Sequence, residues 1–223
     1  MKVIEGDCLE VMAEMEARTI DAVITDPPYG MSYQSNMRIK REQFDKIEND
    51  AGFDMDFTLK WMRQCYRLLH NDRHFYAFCS DHHLGEFREA VAASGFNLKR
   101  TLVWVKDAGT MGDLGGDYQH KTEFILFAHK GKRDLMNGRP SNVIEARRVA
   151  PGQMMHPTEK PIRVLRPLIA NSTEEGETIL DPFAGSGSLG VAAKEENREA
   201  VLIEKEKKYV EIIEGRLAQG NLF

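Results

Sequence analysis

The stretch Thr178-Ile179-Leu180-Asp181-Pro182-Phe183-Ala184-Gly185-Ser186-Gly187 turns a short apolar run into a glycine-bearing corner, and a helical pattern follows from Ser188 to about Glu196. A further apolar run, Ala200 to Ile203, ends at Glu204. Strand, tight turn, helix and strand in succession is the unit from which parallel sheets are built. Glycines in such a corner let a ligand approach the backbone closely. The corner departs from the Gly-x-Gly-x-x-Gly pyrophosphate fingerprint: it holds two glycines, and an acid precedes them. Asp181 in that place suits a cationic ligand.

Working outward, the same alternation covers most of the chain. Lys2 to Ile4, Asp21 to Thr25, His74 to Cys79, Asn97 to Lys106 and Thr122 to Ala128 read as strands. Cys8 to Ala17, Phe57 to Leu69, His83 to Ala93, Pro161 to Ala170 and Lys208 to Gln219 read as helices, with apolar residues at helical spacing. The expected fold is therefore α/β, an open and mostly parallel sheet with helices on both faces. In such sheets ligands sit beyond the carboxyl ends of the strands, at the topological switch point. Asp7, Asp26, Asp181 and Glu204 each stand just past an expected strand end, which points to one shared crevice. The chain reads as a single domain, 1–223. It carries a polar loop at about 31–50, expected to be mobile, and a basic segment at about 129–155 that shows no clear period.

The second informative stretch is Asp26-Pro27-Pro28-Tyr29. Two prolines force the chain out of the sheet after Thr25. An aromatic amine is a poor nucleophile because its lone pair is delocalised into the ring. A site that alkylates it needs acceptors aimed at the NH2 group, which hold the nitrogen in line with the donor. The Asp26 carboxylate and the Pro27 carbonyl are such acceptors. Tyr29 can stack on a base taken out of its helix. A simple Asp-Pro turn closing a strand is the plainer reading of the same residues.

Two further segments gain weight from these neighbours. Glu204, at the end of the strand after the glycine corner, can accept from ribose hydroxyls. In His156-Pro157-Thr158-Glu159-Lys160-Pro161, Thr158 is a candidate cap for the helix that follows. Lys160, or the exposed amides of that helix start, can hold a carboxylate.

Composition narrows the class. The chain has 223 residues, 42% hydrophobic and 29% charged, with a formal net charge of −5. That balance argues against a protein that coats nucleic acid without selectivity, but leaves room for a local basic groove. Arg38, Lys40 and Arg41 form one basic cluster. Lys130 to Arg148 forms another, with six positive charges, among them Lys132, Arg133, Arg147 and Arg148, against two negative. Three cysteines at wide spacing suggest neither a disulfide framework nor a metal site, and a cytoplasmic setting is expected. The amino terminus is broken by Glu5, Asp7 and Glu10, which argues against a secretory signal.

Together TDPPYG, HPTEKP and ILDPFAGSGSLG resemble the DNA amino-methyltransferases that modify adenine N6 or cytosine N4, over nearly the whole chain. Their order, tetrad before glycine loop, is similar to the beta class. The resemblance implies a Rossmann-like methyltransferase fold, a seven-stranded sheet in which the last hairpin strand is antiparallel. It also implies S-adenosyl-L-methionine as cofactor, double-stranded DNA as substrate and a homodimer as the default assembly. By the resemblance, Asp26, Pro27, Pro28 and Tyr29 are the catalytic set. Asp7 with Cys8 would lie at the donor's adenine and Glu204 at its ribose. Asp181, Phe183, Gly185, Ser186 and Gly187 would form the donor loop, with Thr158 and Lys160 near the methionine carboxylate. The segment 129–155 takes the place of the target-recognition region and is short for one.

A leading Asp in the tetrad is more typical of adenine enzymes and a Ser of cytosine N4 enzymes, so adenine N6 is the expected target. Cytosine N4 is the alternative, and RNA or a protein amide remain open as other substrate classes. A non-catalytic DNA-binding module would be expected to show a damaged tetrad or donor loop, and neither is damaged.

Overall fold

The computed structural model describes residues 1–28, 53–109, 116, 118–149, 152, 154–156 and 159–219. In chain order these form β1 (Lys2–Glu5), α1 (Cys8–Glu14), β2 (Ile20–Thr25), α2 (Met55–Leu68), β3 (Leu69–Cys79), α3 (Leu84–Ala93), β4 (Asn97–Val105), β5 (Thr122–Lys130), β6 (Val143–Glu145), α4 (Ile162–Ser172), β7 (Thr178–Asp181), α5 (Ser188–Glu195), β8 (Glu199–Glu204) and α6 (Lys207–Ala218). The strands make one sheet in the order β1-β8-β7-β2-β3-β5-β4-β6.

Strands β1, β8, β7, β2 and β3 run parallel. β5 lies between β3 and β4 and is antiparallel to both. This is the expected antiparallel hairpin strand within a mostly parallel sheet. The count differs from seven: among the described residues there are eight strands. The additional one, β6, pairs parallel with the edge of β4 through Val103↔Val143 to Val105↔Glu145. It lies inside the segment 129–155, where three residues among basic neighbours are too few to show a period.

Both faces of the sheet are covered, which is why the central strands read as nearly continuous apolar runs. Along β3, Phe75, Ala77 and Cys79 face one side and Tyr76 and Phe78 the other, following the two-residue period of a strand. The first set packs under Trp61, Met62, Cys65 and Leu68 of α2 and Phe87, Ala90 and Val91 of α3. The second packs under Val164, Leu165, Leu168 and Ile169 of α4, Leu189 and Ala192 of α5 and Ile213 of α6.

The helix starts follow local chemistry. Asp54 caps α2 by accepting from the Phe57 amide at 3.0 Å. Asp7 caps α1 by accepting from the Leu9 amide at 2.9 Å. Helix α4 starts later than its expected cap: its N-cap is Pro161, with no side-chain cap bond, so Thr158 is three residues too early to serve. Thr158 itself lies outside the described residues.

Candidate active site

The chain runs from β7 through α5 to β8 on one side of the sheet, and from β2 through α2 to β3 on the other. β7 and β2 are parallel neighbours, joined by the pairs Ala22↔Ile179 and Val23↔Leu180. This is the switch point, and the crevice opens beyond their carboxyl ends. Three of the four expected acids stand near one another there, Asp26 after β2, Asp181 at the end of β7 and Glu204 at the end of β8, while Asp7 follows β1 at the sheet edge and caps α1.

Thr25 Oγ1 donates to Asp181 Oδ1 at 2.7 Å, and the Phe183 amide donates to the same oxygen at 3.1 Å. Burial pushes the Asp181 carboxyl up to about 7. The two hydrogen bonds work against that rise, and the negative charges of Asp26 and Glu204 add to it. Burial also raises Glu204, whose Oε2 accepts from the Gly185 amide at 2.8 Å and whose Oε1 accepts from the Glu206 amide at 2.9 Å. Each carboxylate oxygen has two lone pairs, so these bonds orient Glu204 and leave capacity to accept more.

The glycine corner is shaped for close approach. Gly187 has φ +77°, and a Cβ there would stand 2.9 Å from Ile213 Cγ1. Phe183 packs edge-on against Trp61, with ring centroids 5.4 Å apart, and so anchors the corner to α2. Ser186 is buried, and Arg216 from α6 donates to its carbonyl at 2.8 Å and its hydroxyl at 3.1 Å. Arg216 also pairs with Glu159 at 3.1 Å, while Glu159 Oε2 accepts from the Met155 amide. This clamp ties the HPTEKP segment to the corner. Neither residue was singled out from the sequence, because an Arg and a Glu on separate polar stretches carry no signal until the fold joins them.

Two expected donor contacts sit differently. Cys8 packs in the core, and burial pushes its thiol up to about 12. It belongs to the packing beneath Asp7. Lys160, expected near a carboxylate of the donor, has its ammonium on Asp26 Oδ2 and 3.4 Å from Glu123 Oε2. Lys106 holds the other oxygen of Glu123 at 2.7 Å. Pro27 is buried beside Asp26 and Pro28 is half-buried, while Tyr29 lies outside the described residues.

The basic residues divide. β5 runs away from the crevice, so the chain after Lys130 emerges at the far end of the sheet. There the Lys132 amide donates to Asp72, and Arg133 pairs at 3.4 Å with Glu177, just ahead of β7. Lys132 and Arg133 therefore do not share a surface with the crevice. β6 brings the chain back: Arg147 and Arg148 line a cleft of about 690 Å³ together with Lys160, Arg163 and Arg216. Arg38, Lys40 and Arg41 lie outside the described residues.

The DNA methylase family model for N6 and N4 methyltransferases matches residues 20–215, and the chain belongs to that family. Among relatives, the type II methyltransferase M2.MboI of Moraxella bovis is 26% identical over 95% of this chain and 85% of its own length. The crystal structure of M1.HpyAVI in complex with S-adenosylmethionine superposes with a TM-score of 0.74 at 23% identity, covering 97% of this chain and 98% of that one. PvuII DNA methyltransferase, which is cytosine-N4-specific, gives 0.78 at 17% identity, covering 99% and 87%. At those identities the two structures speak for the fold.

The chain is thus an S-adenosylmethionine-dependent DNA methyltransferase of the N6/N4 family. The residues present fit that donor. Asp181 is buried with its carboxyl pushed up to about 7, and among the described residues no ion pair reaches it; a sulfonium with an amino group would supply the opposite charge. Gly185 and Gly187 both take a positive φ, a backbone path that disfavours side chains, so the corner presents bare backbone. Among the described residues, no helix is long and apolar enough to cross a membrane.

Proposed function

We propose that the enzyme methylates the N6 amine of an adenine turned out of duplex DNA within a specific sequence. The observation that carries this reading is the adjacency of Asp26 and Asp181 at neighbouring strand ends, linked through Thr25. An acceptor for an amine and an acid for a cationic donor thereby share one crevice. When bound, S-adenosylmethionine supplies an electrophilic methyl group. Asp26 and the Pro27 carbonyl accept from the exocyclic NH2, favour a pyramidal nitrogen and hold its lone pair toward that methyl. The new N–C bond forms as the C–S bond breaks, and the amine's proton leaves to water. Extruding the base costs a few kcal/mol, which stacking on Tyr29 offsets. In this reading Arg147 and Arg148, which line a cleft with Lys160, meet phosphates of the duplex.

Adenine is preferred over cytosine because an Asp leads the tetrad. Cytosine N4 asks for the same acceptors, and the same fold serves the cytosine-N4-specific PvuII enzyme. In this reading the enzyme is cytoplasmic, acts as a homodimer and serves a restriction-modification system. The test is a methylation assay with tritiated S-adenosylmethionine on unmethylated duplex DNA, followed by nucleoside mass spectrometry. N6-methyladenine is expected. N4-methylcytosine would keep the mechanism and overturn the choice of base, and a label found only in RNA or protein would overturn the substrate.

A further inference from the structure

Four charges from four segments alternate in sign at the tetrad. Asp26 follows β2, Lys160 precedes α4, Glu123 lies on β5 and Lys106 follows β4. Lys160 Nζ touches Asp26, stands 3.4 Å from Glu123 Oε2 and lies 5.1 Å from the centre of the Phe78 ring. Lys106 Nζ is 2.7 Å from Glu123 Oε1 and 5.3 Å from the Trp104 ring.

A lysine normally keeps its ammonium in water on a flexible stem. Here the Lys160 side chain is 8% exposed. Burying an ammonium costs several kcal/mol unless opposite charges surround it. Glu123 is half-buried, and the two lysines hold its carboxyl below the usual range against the desolvation. The arrangement is therefore interdependent: without Glu123 the Lys160 ammonium loses one of the opposite charges around it, and without Lys160 the Asp26 carboxylate loses an ion-pair partner. An ion pair kept for stability alone is readily replaced by apolar packing. This one ends on the carboxylate that meets the substrate.

We propose that Lys160 and Glu123 are positioning residues for methyl transfer. Glu123, anchored by Lys106, holds the Lys160 ammonium on Asp26, which keeps the catalytic carboxylate ionised and in one orientation toward the target amine. The proposal rests on the reading of Asp26 as the amine's acceptor. It also gives Lys160 a role other than holding the donor's carboxylate.

The test uses the full chain and the variants Lys160→Met, Lys160→Arg and Glu123→Gln. Glu123→Gln preserves shape, and circular dichroism checks that each variant folds. The first readout is the titration of the Asp26 carboxyl by carbon NMR, its signal identified by its loss in Asp26→Asn. Among the described residues, the charged and titratable groups facing the pair include Glu123, Lys106, Asp181, Cys79 and His156, and signal assignment separates Asp26 from Asp181, whose carboxyl burial pushes up to about 7. Lys160→Met is expected to raise the Asp26 midpoint by about one unit or more, because an opposite charge has been removed. Glu123→Gln should change it less, and Lys160→Arg should restore it.

The second readout is kinetic. The acid limb of kcat should move up in pH with the Asp26 midpoint. Lys160→Met should lower kcat about a hundredfold, as misplaced reacting groups do, with donor affinity unchanged. Wild-type titration and kcat in both Lys160→Met and Glu123→Gln would overturn the proposal, as would a loss confined to donor affinity. If the Asp26 midpoint moves with Lys160 but the wild-type enzyme methylates no base, the electrostatic coupling is supported and the reading of Asp26 as acceptor for a base amine fails.

Discussion

Thr25 Oγ1 donates to Asp181 Oδ1 across the seam between β2 and β7, joining residues 156 positions apart in the chain. One residue further along β2 is the tetrad, and two residues past Asp181 is the start of the glycine corner. The bond thus ties together the group proposed to orient the amine and the group proposed to attract the donor. Thr25→Val keeps the shape and removes the donor. It should cost about 1–3 kcal/mol of stability, the usual consequence of leaving a buried polar group short of a partner. It should also raise the Asp181 midpoint further and weaken S-adenosylmethionine binding. Chemical denaturation and calorimetric titration measure both.

With Asp181 in its proposed place at the donor, its elevated carboxyl predicts donor binding that depends on pH. Its midpoint of about 7 lies above the ordinary 3.8, so the free protein binds a proton more tightly than the unfolded chain does. Its contribution to folding is full below pH 3.8 and is lost as pH rises through 7. A cationic donor favours the ionised form, so its affinity should fall as pH drops through 7, with a proton released on binding near that pH. Calorimetry in buffers of different ionisation enthalpy measures the release. Asp181→Asn should abolish it and flatten the profile between pH 6 and 8, apart from any change contributed by Glu204.

Gly187 occupies a backbone conformation that disfavours side chains, and a Cβ would press on Ile213 of α6. Gly187→Ala should therefore destabilise the fold by about 1–2 kcal/mol from the backbone alone, with more from the displaced α6. Thermal unfolding measures the loss. Donor affinity should fall in the same variant, because this residue begins α5 and sets the corner's path.

The division of the basic residues gives a paired prediction for DNA. Arg147→Ala with Arg148→Ala should weaken duplex binding at every sequence and reduce the slope of log affinity against log salt by about 1–2, as each lost phosphate contact removes about 0.9. Lys132→Ala with Arg133→Ala should leave the slope as it was. Fluorescence anisotropy across a salt series compares the two. An equal loss in both pairs would mean that DNA reaches both ends of the sheet.

The parts legible in the sequence were those written in contiguous residues. Thr178 to Glu196 announces strand, corner and helix by apolar run, glycines and helical spacing, and the structure places each within a residue or two. Asp26, Asp181 and Glu204 were recognisable because each directly follows such a strand. Glu123 was not: one acid near the start of a strand looks like a solvated edge residue. Only the antiparallel pairing of β5 with β4, which sets Glu123 opposite Trp104, brings it to Lys106 and Lys160. The same reversal hid the split among the basic residues. Lys130 to Arg148 shows its surplus of positive charge in the sequence, but which end of the sheet each charge reaches depends on the direction of the strands between them.

That reversal also governs how this enzyme's lineage can vary. Residues gained between Lys130 and Val143 begin at the end of the sheet remote from the crevice, and those near Lys132 and Arg133 enlarge a face turned away from it. Residues gained after Glu145 fall where Arg147 and Arg148 border the cleft. A descendant that comes to read a longer word in DNA is therefore expected to have grown after β6, in the few residues between Glu145 and the HPTEKP segment.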